Sequence, residues 1–243
     1  MLQTSANSTL GVTFNDATTF NLTANARITV DSFVYEDGGK QNAALFDVAR
    51  GTVAFVAAAV AKTGDMKIST PTATLGIRGT TGLVEVPEGA SAAGANNVAI
   101  KLYPDPDGRV GRIEVNDRAG ARLGFLTQGA SGFTIRPGTG GRFAALPLVI
   151  SPQQALRDQG IVRQLHAAQS VGRRIVTQRR IQRLQNPARQ PGPQRQKGSP
   201  QQPPGLQRQP AAPGVLRPGL QNRPALRQRP AVLAPKRRPK DIR

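Results

Sequence analysis

The chain has 243 residues, with 33 Lys or Arg against 14 Asp or Glu, a formal net charge of +19, one histidine and no cysteine or tryptophan. Without cysteine there is no thiol catalysis and no disulfide, and a lone histidine argues against a zinc site. The charge is unevenly placed: residues 1–150 hold 13 basic and 12 acidic side chains, whereas residues 151–243 hold 20 and 2, with 14 of the 20 prolines. That asymmetry predicts a folded body carrying a basic arm.

Met1 to Thr9 has neither a basic leading segment nor an apolar run, so no signal peptide is read there. Short strands recur along the body between turn signals, of which Asn15-Asp16 is the first. Glu36 to Gly39 is the next run of turn chemistry. The longest apolar stretch, Val53 to Ala61, has nine residues, far short of the roughly 20 that a membrane-spanning helix needs. Met66 and Ile68 then alternate with Lys67 and Ser69 in the period of a half-buried strand.

The segment Ile68 to Val86, ISTPTATLGIRGTTGLVEV, is short strands broken by corner residues. Pro71 cannot donate to a strand ladder and marks an edge or corner. Gly76 and Gly79 flank Arg78 in a strand pattern, which signals a bend or a close backbone approach. Arg78 is expected to hold that corner, paired with a carboxylate such as Glu85; contact with an acidic partner is the alternative. Leu83, Val84 and Val86 form the next strand.

Val98 to Tyr103 and Val110 to Val115 read as a hairpin across the five-residue loop Pro104 to Gly108. The run Asp105-Pro106-Asp107-Gly108 lacks the remaining ligands and closing glutamate of a calcium loop, so it reads as a turn. Arg122 to Thr127 and Gly132 to Arg136 add strands. Ser151 before Pro152 is a helix N-cap, with Leu156, Leu165, Ala168 and Ile175 near one face. Gly160 and Gly172 weaken the helix, so one or two helices are expected, ending before Asn186. His166 is placed on the helix surface.

The segment Thr70 to Thr80, TPTATLGIRGT, resembles the hallmark of the FecR domain family of Gram-negative bacteria. Its residues Thr70, Pro71, Thr72, Ala73, Thr74, Gly76, Arg78, Gly79 and Thr80 are taken as structural. Val12 to Phe20, Ala26 to Tyr35 and Phe46 to Phe55 resemble the family's earlier strands, so the likeness runs over roughly Leu10 to Val86. The resemblance implies a small β-solenoid or stacked β-sheet; by periodicity alone a sandwich is the alternative. In the best-understood members the domain is the periplasmic part of a transmembrane regulator that links an outer-membrane TonB-dependent transporter to a cytoplasmic sigma factor. This sequence contains neither the sigma-binding segment nor a membrane span, so the relay role is not carried over. A periplasmic or extracellular home is what the resemblance implies, and a cytoplasmic one if Met1 is the true start. The abrupt beginning of the likeness near Leu10 leads to the expectation of an N-terminally truncated domain.

The expected organisation is therefore a FecR-like β-domain over 1–90, a β-hairpin extension over 91–150, a helical segment over 151–185 and a disordered basic Pro/Gln/Arg-rich tail over 186–243. The tail's composition buries too little apolar area to offset chain entropy. Two basic clusters are candidate polyanion contacts: Arg173, Arg174, Arg179, Arg180 and Arg183 on the helix, and Lys236, Arg237, Arg238 and Lys240 near the end. No aromatic residue follows Phe143, so base stacking finds no support. No cofactor, metal or enzymatic activity is expected. Two function classes follow. One is a non-enzymatic FecR-like envelope module that binds a partner protein or an acidic envelope component in signalling. The other is an intracellular nucleic-acid-associated protein that acts through its tail.

Overall fold

Alternating apolar and polar residues build thirteen strands and two helices in the computed structural model, which describes residues 1–91, 97–138 and 142–185. In chain order these are β1 Leu2–Gln3, β2 Leu10–Thr13, β3 Thr19–Leu22, β4 Arg27–Val34, β5 Ala43–Val56 and α1 Ala59–Thr63. There follow β6 Asp65–Ser69, β7 Thr74–Arg78, β8 Thr81–Val86, β9 Val98–Tyr103, β10 Arg112–Asn116 and β11 Arg122–Leu126. The last elements are β12 Ser131–Pro137, β13 Phe143–Pro147 and α2 Pro152–Gln185.

The strands form two stacked sheets that share β5. The first sheet runs β1-β4-β5-β6-β7-β10-β11, and the second β2-β3-β5-β8-β9-β12-β13. The N-terminal part of β5 pairs with β4 and β6, and its C-terminal part with β3 and β8. The bend falls at Gly51, whose φ of +87° suits glycine and where a Cβ would stand 2.4 Å from Ala26 Cα. Every other strand pairing is antiparallel, and only β5–β6 is parallel. Successive hairpins alternate between the sheets, so each sheet grows in chain order. At the far edge β11 approaches β12 and β13, and the whole is nearly a closed barrel. The stacked-sheet form of the expected all-β body is thus the one adopted.

One core fills the space between the sheets. Phe46, Ile28, Met66, Ile68, Leu75, Ile77, Ile113 and Val115 enter from the first sheet; Phe20, Leu22, Val53, Phe55, Val84, Ile100 and Ile135 enter from the second. Within it Phe20 and Phe46 lie 4.6 Å apart, while half-buried Phe14 packs against it, stacked on half-buried Phe33 at 4.7 Å and edge-on to Phe46 at 5.4 Å. Such pairs contribute about 0.5–1.5 kcal/mol each beyond area burial. Asp16, in the β2–β3 turn, is buried and ties that turn to α1: its carboxylate accepts from Thr18 N–H at 2.7 Å, Thr18 Oγ1 at 2.6 Å and Val60 N–H at 3.1 Å.

The chain departs from the sequence expectations at two places, the pairing of β9 and β10 and the packed face of α2. The expected hairpin of 98–103 with 110–115 does not form: β9 pairs with β8 and β12, while β10 pairs with β7 and β11. Both edges of β9 are occupied in the second sheet, so the Pro104–Gly111 connection carries the chain over to the first. Its Asp105–Gly108 turn forms as expected, with Gly108 N–H donating to Asp105 O at 2.9 Å. Residues 152–185 form a single helix, uninterrupted at Gly160 and Gly172, within the expectation of one or two helices ending before Asn186. Leu156 and Ile175 do not share its packed face: they are 68% and 44% exposed, whereas Asp158, Leu165, Gln169 and Gly172 are buried.

Candidate functional site: the docked helix and its arginine end

Helix α2 starts at a capping box. Gln154 N–H donates to Ser151 Oγ at 3.3 Å, and Ser151 N–H donates to Gln154 Oε1 at 3.0 Å. Its buried positions recur every three or four residues and lie on the outward face of the second sheet. Leu165, Ile161 and Val162 cover Ala54, Val56, Leu83 and Tyr103 there in a small second core. Closest approach comes at Gly172, where a Cβ would stand 2.2 Å from Thr13 Oγ1. The glycine that weakens the helix on propensity is the one that lets it reach the sheet.

Two polar clusters fasten the helix. Lys101 of β9 is 1% exposed; its Nζ donates to Asp158 Oδ2 at 2.8 Å and to Glu85 Oε1 at 3.0 Å. Tyr103 donates its hydroxyl to the same Asp158 oxygen at 2.6 Å. Burial, then the Asp158 carboxylate, drive the Tyr103 phenol far above its ordinary range, so it stays a donor. Two turns further along α2, in the cluster at His166, Thr81 donates to Asp105 Oδ1 at 2.7 Å. With that proton committed, His166 Nε2, 3.2 Å from Thr81 Oγ1, is the donor to the threonine. His166 is therefore half-buried against the sheet and not a surface residue, a correction to the sequence expectation. Burial lowers its pKa and Asp105 partly opposes the shift. In this arrangement threonine sits between the histidine and the aspartate. A nucleophilic triad would need the histidine in that central position.

The signature segment is a double corner below this face. Thr70 N–H donates to Ala73 O at 2.8 Å, and Thr70 Oγ1 donates to Ala73 O at 2.9 Å while accepting from Ala73 N–H at 3.0 Å. That turn joins β6 to β7. Gly79 and Thr80 then lift the chain from the first sheet into β8 of the second; Thr80 Oγ1 accepts from Gly111 N–H at 3.2 Å. Thr70, Thr72, Ala73 and Thr80 are fully buried, and Thr72 Oγ1 has no hydrogen-bond partner among the described residues. Arg78 does not pair with Glu85, which belongs to Lys101. It lies 3.7 Å from Asp65 and donates to Ile77 O at 3.1 Å.

The arginines divide into groups. Arg180 Nη1 lies 3.1 Å from Asp37 Oδ2, and its Nη2 donates to Tyr35 Oη at 3.2 Å. The Tyr35 hydrogen bond foremost, together with the Asp37 charge, holds this guanidinium even more firmly protonated. Arg179 and Arg183 line the same cleft of about 270 Å³, with Thr13, Asn15 and Val176. Neither makes an ion pair among the described residues. Arg173 faces a second cleft, beside Asp105 and Asp107, and Arg174 is exposed. Lys236, Arg237, Arg238 and Lys240 lie outside the described residues. Among the described residues there is no group of three metal-ligating side chains, and no helix is long and apolar enough to cross a membrane.

Sequence reasoning missed Lys101. On a strand that alternates inward, it reads as an outward, solvated side chain; its burial needs the helix, 57 residues away at Asp158. The one available signal was Asp158 itself, the sole acidic residue between 151 and 185.

These features define an all-β module of two stacked sheets with a helix docked across one of them. Residues 1–99 match the family model described as FecR protein, so that segment is similar to the FecR family. The match takes in β1 and reaches the start of β9, beyond Leu10 and Val86 at either end. Two solved structures of a candidate anti-sigma factor from Parabacteroides distasonis ATCC 8503 are similar at 14% and 13% identity, with TM-scores of 0.42 and 0.41. In each case 60% of this chain and 58% of the other are covered, so the chain spans a little over half their length. No curated protein matches.

Proposed function

We propose that the chain is a non-enzymatic FecR-family module of the bacterial cell envelope that takes part in signalling by binding a partner protein or an acidic envelope component. The observation that carries this reading is the seating of α2 on a FecR body. The FecR match covers β1 to β8 and the start of β9, and the helix holds Arg179 and Arg183 beside Tyr35 and Asp37 at the body's edge. The body supplies a fixed surface, and the arginines without ion pairs supply complementarity to acidic groups. The Thr70–Thr80 residues serve as the structural corner that sets β7 and β8 in their sheets. The basic tail adds a low-specificity electrostatic tether.

A second reading rests on the charge imbalance of 20 to 2 in residues 151–243: an intracellular protein that binds nucleic acid through its tail. The two separate on salt and on residues. The full chain and its Arg179→Glu/Arg183→Glu variant are compared for binding to envelope extract and to a DNA duplex. The envelope reading expects retention on envelope components that the double variant loses at least tenfold. DNA binding that collapses about 10³–10⁵-fold between 50 and 200 mM salt, equally in both proteins and with no envelope binding, overturns it.

A further inference from the structure

The second sheet ends at β2, whose outer edge pairs with no strand among the described residues. Phe14 N–H donates to the directly opposite Thr18 O at 2.8 Å. Antiparallel ladders alternate, so Leu10 and Val12 turn their backbone groups toward β3, while Gly11 and Thr13 turn theirs outward. An unpaired edge is a template for a further strand unless something blunts it. β2 carries none of the usual protections, neither charge nor proline nor bulge.

Helix α2 adds a wall along that edge. Ala168 Cβ lies 3.7 Å from where a Gly11 Cβ would stand, and Gly172 meets Thr13, so helix and strand run side by side in the same direction. Ala168, Val171 and Ile175 follow at three- and four-residue spacing and form a stripe on one helix face. Val171 and Ile175 are 56% and 44% exposed. With Gly11 and Thr13 they line a groove of about 600 Å³, in which Arg179 is the last helix residue. Ligand sites run to about 300–1,000 Å³. From Ala168 to Arg179 the helix rises about 16 Å, the length of about five extended residues. No acidic side chain lines the groove, and Arg179 also lines the cleft that holds Arg183.

We propose that this groove binds an extended segment of a partner protein, which joins the second sheet as a strand beside β2. The outward N–H and C=O groups of Gly11 and Thr13 pair with its backbone, and its alternate apolar side chains rest against Val171 and Ile175. Acidic residues at one end meet Arg179 and Arg183. Antiparallel addition, the commoner pairing, puts those acidic residues at the N-terminal end of the segment. Charge decides against the occupants nearest to hand. The chain's own residues 186–243 are rich in arginine, and a second copy brings a net charge of +19, so both are repelled at the arginine end. The proposal rests on the partner-binding reading above and names the kind of partner; the pairing with β2 belongs to it alone.

The test uses the full chain, ¹⁵N-labelled, with the peptide acetyl-Asp-Asp-Val-Thr-Val-Thr-Val-amide at up to about 1 mM, which captures micromolar affinity. Amide exchange at Gly11 and Thr13 is expected to slow at least tenfold when the peptide is bound. Lysines in place of its two aspartates should weaken binding at least tenfold. Gly11→Pro removes one outward N–H and leaves the β3 ladder its bonds; it should lose binding at least tenfold. Ile175→Ser changes the groove wall alone and should do the same at the parental melting temperature. The proposal is overturned if the peptide leaves exchange at Gly11 and Thr13 unchanged, or if both variants bind as the parent does. If both bind normally while Arg179→Glu loses the peptide, strand addition fails and recognition by the arginines survives; if Arg179→Glu also binds normally, both readings fail. Protection of the two amides that rises with protein concentration, without peptide, assigns the edge to a second copy and likewise overturns the proposal.

Discussion

Lys101 is the residue on which the docked helix turns. Its buried ammonium is held by Glu85 and by Asp158, and Asp158 is the buried partner of the two. Truncating Asp158 to alanine leaves a buried cation and a buried phenol short of an acceptor, and should cost about 3–5 kcal/mol in urea unfolding. Replacing both ions, Lys101→Met with Asp158→Leu, should recover most of that loss. Equal destabilisation by the single and double variants would show that packing, and not the charge pair, secures the helix. The threonines of the signature make a second contrast. Thr70 makes three contacts to Ala73, so Thr70→Val should cost about 1–3 kcal/mol. Thr72 Oγ1 has no partner among the described residues, so Thr72→Val should be neutral or stabilising in the same melts. His166 gives the fold a pH dependence. Burial lowers its pKa from the ordinary 6.5, so the unfolded chain takes up the proton more readily than the folded one. Its contribution is fully present above about pH 6.5 and is lost as pH falls through the folded value. Between about pH 7.5 and 5, the melting temperature of the parent should therefore fall more than that of His166→Gln.

At the scale of elements, the helix and the corners show what one sequence can reveal. The β6–β7–β8 corners and the Ser151 cap were legible because turn residues and apolar alternation set them locally, whereas the β2–β3 hairpin and the β4 strand were legible through the family likeness. Partner choice was not. Val98–Tyr103 and Val110–Val115 alternate as a hairpin would, but hairpin pairing is a competition, and β8 and β12 hold both edges of β9. The packed face of α2 was hidden for a related reason. It is lined by Asp158, Gln169 and Gly172 as much as by Leu165, so apolar periodicity pointed to Leu156 and Ile175. The two helix glycines separate propensity from packing. At Gly160 a Cβ meets nothing within 4 Å, and Gly160→Ala should stabilise the protein by about 0.5–1 kcal/mol. Gly172→Val places a branched side chain into Thr13 and should release the helix, read as new protease cleavage between 155 and 180 with the β-body intact. Unchanged resistance in that variant would remove Gly172 from the docking account.

For the whole molecule, the fold explains how a body of net charge near zero can present a strongly basic surface. Two sheets share one aromatic-centred core, and one of them is roofed by a helix whose far end carries arginines past the sheet edge. Hydrophobic patterning revealed the body, and charge counting revealed the arm, but their meeting surface was legible in neither. It depends on single polar residues, Lys101 and Asp158, whose roles appear only when distant segments are brought together. The family likeness was legible because the Thr70–Thr80 corner is short and constrained, and it names no partner. The most direct test of the central claim is photo-crosslinking in the source cells from a benzoylphenylalanine placed at Arg179, with the adducts sized and located by fractionation. The account predicts one discrete protein or envelope adduct in the envelope fraction that persists at high salt. Adducts confined to nucleic acid in the cytoplasm, and dispersed by salt, would contradict it.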